Sequence, residues 1–221
     1  MRRATDPTVR ALGVYAALVA LQHGVAEFLQ GGIVRSGLLI NAIGPPCEPG
    51  VVWHACLPAM SLLPTLRAAG VATAVLSLIL IGWCAIRPSQ KRSGLTLGLF
   101  SVLILLAGGG FVAPFNGLVA AAGAFLSGRF GRASDERGLL SSRGLATLWP
   151  WTLLGMGLWL PGAWVLGHLF PATMVRLSFL VFFFVDLLLP IVTVLGAIAQ
   201  DANTATPGAT TRAGPGPERF A

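Results

Sequence analysis

The sequence predicts an all-α integral membrane protein, a polytopic helical bundle of about six spans. Three observations predict it. The 221 residues are 55% apolar and only 10% charged, whereas a soluble domain carries about 25% charged residues to cover its surface. Several apolar stretches reach the roughly 20 residues that a helix needs to cross a bilayer. The cations fall in the short hydrophilic gaps between those stretches, which is the pattern of membrane topology. The net charge of +7 and pI near 11.0 therefore do not mark a nucleic-acid surface, and no nucleic-acid partner is expected.

The chain begins with a basic segment and an apolar run longer than a signal-peptide core, without a small-residue cleavage site, so it reads as an uncleaved first span over 9–30. Further spans are predicted over 65–86, 145–169 and 175–199. Between 65–86 and 145–169 lies an apolar stretch, Gly94 to Gly128, broken by Gly108, Gly109, Gly110, Pro114, Asn116 and Gly117. One helix of that length overshoots a bilayer, so the stretch predicts a tight hairpin of two short spans, 95–109 and 112–127. The Gly108-Gly109-Gly110 run is read as the hairpin's turn and not as a phosphate cradle, since no cations accompany it.

Charge supports the count. With the N-terminus cytoplasmic, the inner segments hold Arg2, Arg3, Arg10, Arg87, Lys91, Arg92, Arg129, Arg132, Arg137, Arg143, Arg212 and Arg219. The outer ones keep Arg35, Arg67 and Arg176. This asymmetry requires the broken stretch to cross twice, and it places both termini in the cytoplasm, as expected for a bacterial inner-membrane protein. The loop 128–143 should lie against anionic lipid headgroups. The outer connection 31–64 is too apolar for a solvated loop; its part 51–63 is expected to be an interfacial or re-entrant helix behind the rigid turn Pro45-Pro46-Cys47-Glu48-Pro49-Gly50. Residues 201–221 should form a disordered cytoplasmic tail after a single bundle over 1–200. No internal repeat is visible.

Ionisable groups inside spans cost about 2.5 to 3.5 kcal/mol on insertion scales, so each calls for a partner, a wet cavity or a function. Glu27 has His23 at i−4 and Gln30 at i+3, and Ala16, Ala20 and Gly24 continue the same face. Such a small and polar stripe should turn inward. It serves either as an interhelical clasp, His23 to Glu27 or Glu27 to Arg67, or as a proton, cation or headgroup site. Asp186 lies four residues before Pro190, which has no amide hydrogen to give the Asp186 carbonyl. A carbonyl and a carboxyl at one level form either a cation or proton site or an ordinary kink with the carboxyl bonded to a neighbouring helix. Pro161 similarly frees the Gly157 carbonyl.

His23, His54 and His168 all fall in the outer half of this topology, but they lack the short spacings of metal or haem ligands, so no metal is assigned and cofactors stay open. Cys47 and Cys56 form a candidate disulfide on an oxidising face, and Cys84 reads as a buried small hydrophobe. No P-loop, G-x-G-x-x-G, H-E-x-x-H or G-x-S-x-G motif is present, which argues against soluble nucleotide or hydrolase chemistry. Three function classes remain. The favoured one is binding or transport of a small or lipophilic ligand or ion through an outward-facing cavity lined by His23, Glu27, Gln30 and His54, with Asp186 deeper and Arg67 and His168 as secondary candidates. The others are a membrane enzyme or redox (metal or haem) subunit using His23 and Glu27, and a structural or accessory subunit; a homo-oligomer or a membrane complex fits any of them.

Overall fold

A computed structural model describes residues 4–43, 53, 57–86, 93–130 and 143–204. The fold is helical. Its elements are α1 (Thr5–Gln30), β1 (Leu39–Asn41), β2 (Pro58–Met60), α2 (Leu66–Ile86), α3 (Ser93–Ala107), α4 (Val112–Phe130), α5 (Arg143–Leu169), α6 (Pro171–Val181) and α7 (Leu189–Thr204), with a π-helical segment, Phe182–Leu188, joining the last two. Among the described residues, four helices are long and apolar enough to cross a membrane: α1, α2, α5 and the continuous Pro171–Thr204 rod; α3 and α4 are shorter apolar helices. The chain is an integral membrane protein, and its exposed apolar residues, among them Trp151, Phe179 and Phe184, suit contact with lipid.

The first helix is the hub, packing against α2 and α4 and touching α5 and α7. Its small stripe faces inward as the spacing predicts: Ala16, Ala20 and Gly24 are buried. Close approach is the reason for the small residues. A Cβ placed on Gly70 would fall 2.5 Å from the Gly24 carbonyl oxygen and 2.5 Å from the Phe28 nitrogen, so α1 and α2 touch backbone to backbone there. At the other end of the seam, Gly13 lies against the Cys84 sulfur and Leu97, and Cys84 is a buried small hydrophobe in the main core.

The connection from α1 to α2 departs from expectation. Its described part contains no interfacial helix; residues 58–60 pair antiparallel with 39–41, Ile40 opposite Ala59. Pro58 and Pro64 disfavour helical backbone at the residues before them, Leu57 and Leu63, which favours a short ribbon over a helix. The ribbon has a small core of Ile40, Ala42, Ala59, Leu66 and Ala69.

The last helix runs past the expected start of the tail at residue 201. Asp201 to Thr204 complete α7, and the Asp201 carboxylate accepts hydrogen bonds from the Ala4 amide (2.8 Å), the Thr5 amide (3.0 Å) and the Thr5 hydroxyl (2.6 Å). Ala4 has no capping side chain, so a carboxylate from the far end of the chain satisfies the first amides of α1 and complements its dipole. Residues 205–221 lie outside the described residues. Asp201→Ala should cost about 1 to 2 kcal/mol, read as a lowered midpoint of thermal unfolding in detergent; an unchanged midpoint would show that the cap contributes nothing.

Pro190 has its effect, though not as a simple kink. The helix widens over Phe182–Leu188, and the Leu189 amide bonds back five residues to the Phe184 carbonyl. Proline cannot donate and its ring crowds the preceding turn, so the widened turn absorbs the misfit. Asp186 stands inside it.

Candidate functional site

Where α1, α5 and the π segment meet, a cavity of about 60 Å³ is lined by Tyr15, Gln22, His23, Trp53, Trp159, Trp164 and Asp186, with Val19, Ile43, Leu57 and Val112 among its apolar walls. A water needs roughly 10 to 15 Å³ of such space, so this one holds a few waters or a small ion or molecule. The site is assembled from sequence-distant parts. The helical repeat of α1 places Tyr15, Val19, Gln22 and His23 on one face. The widened turn supplies Asp186, and α5 supplies Trp159 and Trp164 on either side of Pro161.

Asp186 is half-buried and shares the cavity wall with the Trp159 indole and the Tyr15 phenol. Trp53, from the connection between β1 and β2, meets Trp159 edge to face at 6.3 Å between ring centres. A side chain on Gly167 would overlap the Trp53 ring, so that glycine is where the indole seats. A carboxyl, an imidazole, a phenol and three indoles thus converge on a small space, a set that suits a compact cation: the carboxyl supplies charge and the ring faces supply quadrupole attraction.

Not all candidate residues gather here. His23 and Asp186 do, while Glu27 and Gln30 are absent from the lining. Gln30 acts as a fastener: its amide donates to the carbonyls of Ala26 (3.3 Å), Asn41 (3.1 Å) and Ala42 (2.8 Å), holding β1 to the end of α1. Arg67 is exposed, its guanidinium carbon 5.9 Å from the Phe28 ring centre, and it borders a separate, wide surface depression of about 500 Å³ with Gly32, Leu63 and Val71. Neither proposed clasp forms. Both Glu27 carboxyl oxygens and the His23 Nδ1 are buried with no hydrogen-bond partner among the described residues. His168 is exposed at the end of α5. His54, Cys47, Cys56 and Glu48 lie outside the described residues. Among the described residues no group of three or more His, Cys, Asp or Glu side chains is placed to hold a metal ion.

Sequence reasoning missed Tyr15, Gln22 and the three indoles. A signal existed for two of them, since Tyr15 is the one tyrosine in the chain and, like Gln22, interrupts an apolar span. The tryptophans gave none, because an indole near a helix end reads first as an interfacial anchor. Trp149 shows the same ambiguity: its indole donates to the Thr8 hydroxyl at 2.7 Å and ties α5 to α1, while Trp151 faces outward at 70% exposure. No protein-family model matches the chain, and no curated protein or solved structure shows significant similarity to it.

Proposed function

We propose that this protein is a six-span inner-membrane protein that binds, and moves or senses, a small cation in its indole-lined cavity, open toward the non-cytoplasmic face. One observation carries this reading: the last helix brings Asp186 to the same cavity as His23 of α1, between indoles. A charged side chain at membrane depth is costly enough that a wet, aromatic-walled cavity around it points to ligand chemistry more than to packing. A compact amine or ammonium ion matches the size and the donor set; transport as a larger lipophilic cargo does not match a cavity this small.

The topology belongs to the proposal. α3 has 15 residues, about 22 Å of helix, short of the usual hydrocarbon thickness but within what local thinning accommodates. If α3 and α4 both cross, the arginine-rich gaps all lie on one side. A reporter fused after Arg92 or Arg137 should then read cytoplasmic and one near Glu48 should not; a cytoplasmic signal near Glu48 would overturn the orientation of the cavity.

Ligand binding is tested on the detergent-purified protein by intrinsic tryptophan fluorescence during titration with methylammonium chloride, with sodium chloride as the ionic control. The wild-type protein should give a saturable change that sodium does not reproduce, and Asp186→Asn should weaken it at least about tenfold, the loss expected for a charge-assisted contact. No saturable change in the wild type, or undiminished binding in Asp186→Asn, would sink the cation reading.

A further inference from the structure

A fully buried carboxyl lies outside the cavity. Glu27 is fully buried at 0% exposure, and neither of its oxygens has a hydrogen-bond partner among the described residues. What covers it is the turn between α3 and α4. Gly108, at φ 132°, lies so close that a Cβ there would fall 2.5 Å from both carboxyl oxygens, and a Cβ on Gly110, at φ 72°, would fall 2.5 Å from the His23 ring. The turn offers the carboxyl no donors, because its amides are spent internally: Gly108 and Gly109 donate to the Ile104 carbonyl and Gly110 to that of Gly108.

Among the described residues, the surrounding elements supply no counter-charge in contact. His23 stands one turn away on α1 with its Nδ1 unpartnered, and Arg67 on α2 is engaged with the Phe28 ring. The turn itself and residues 57–63 carry no titratable side chain. On α2, the hydroxyls of Thr73 and Ser77 are also buried without partners among the described residues, Thr73 lying beside Gly24, one turn from Glu27. A bare carboxylate in such a place is far costlier than a neutral acid, and a metal ion would demand several oxygen ligands arranged around it. The smallest cation that satisfies a carboxyl with a single bond is the proton.

We propose that Glu27 is a proton-binding site, distinct from the cavity, and that the Gly108–Gly110 turn is the cover limiting its exchange. The proton adds to one carboxylate oxygen to give the neutral acid and leaves by the same O–H bond, so nothing else is consumed. The cover is pinned from outside: the Ser61 hydroxyl donates to the Ala107 carbonyl at 2.9 Å, and the Leu62 amide to that of Leu106 at 2.9 Å. The strand region thereby holds the turn down on Glu27. His23, touching the turn on one side and lining the cavity on the other, is the group through which occupancy of one site would be felt at the other.

Infrared spectroscopy of the full-length protein in lipid bilayers tests this without knowledge of any ligand. The wild type should show the carbonyl stretch of a protonated carboxylic acid that Glu27→Gln removes and Asp186→Asn leaves with a Glu27 component. Transfer to heavy water should shift that component slowly, and Ser61→Ala, by loosening the cover, should speed the shift about tenfold, the equivalent of one lost buried hydrogen bond. Loss of carboxylate absorption, or of neither band, in Glu27→Gln would overturn the proton site. Unchanged exchange in Ser61→Ala would overturn the cover. Both outcomes are independent of the methylammonium titration, so failure of the cavity reading and failure of this one are separable.

Discussion

Gly108→Ala should lower the stability of the detergent-solubilised protein by about 2 to 6 kcal/mol, the largest loss expected from removing no contact at all. Two costs combine. An alanine held at φ 132° pays backbone strain of about 1 to 3 kcal/mol, because an L side chain rarely adopts that region. Its Cβ also falls 2.5 Å from the Glu27 oxygens, an overlap that costs about another 1 to 3 kcal/mol as the turn lifts or α1 shifts. The two parts are separable by a double-mutant cycle. In a Glu27→Ala background the overlap disappears and only the backbone part remains, so the second substitution should cost roughly half as much. Gly32→Ala, where nothing lies within 4 Å of the added carbon and φ is ordinary, is the control and should be close to neutral. Equal stability of Gly108→Ala and Gly32→Ala, read from thermal unfolding, would show that the turn does not rest on Glu27.

On α2 two glycines should respond with opposite signs. Gly70→Ala drives a methyl into the backbone of α1, 2.5 Å from the Gly24 oxygen and 2.5 Å from the Phe28 nitrogen. Backbone cannot rotate away as a side chain can, so the helices must separate, at a cost of about 1 to 3 kcal/mol. Gly82→Ala meets nothing within 4 Å and replaces a weak helix former by the best one, a gain of up to about 1 kcal/mol. Unfolding midpoints of the two variants should fall on either side of the wild type. Two equal midpoints would refute the close crossing of α1 and α2.

The same positions show how much of the site was legible. The inward stripe of Ala16, Ala20, His23, Gly24 and Glu27 could be read directly, because a helix repeats every 3.6 residues and small or polar side chains in a lipid-facing position would be wasted or costly. The turn at Gly108–Gly110 was equally legible as a break in an apolar run. That this turn closes over Glu27 was not, since the contact joins residues about 80 positions apart and no local periodicity encodes it. Gln30 carried the same polar signal as Glu27, yet its amide serves to fasten β1. The residue type announces that a partner is needed and leaves open which partner it finds.

The membrane class, the four long helices and the inward face of α1 follow from the sequence by itself, because hydrophobic length and helical period are local properties that lipid reads residue by residue. Tertiary structure decided the rest. Pro58 and Pro64 turned an expected helix into a ribbon once a partner strand at 39–41 was within reach. Asp201, expected in a disordered tail, became the cap of α1 because the start of α1 and the end of α7 meet. The cavity that gathers Tyr15, His23, Trp53, Trp159 and Asp186 exists only where α1, α5 and the widened turn before Pro190 pack together. Contacts of that kind depend on which helix faces which, and in a bilayer that choice is made by side-chain packing and hydrogen bonding between helices and not by hydrophobicity, which all of them share.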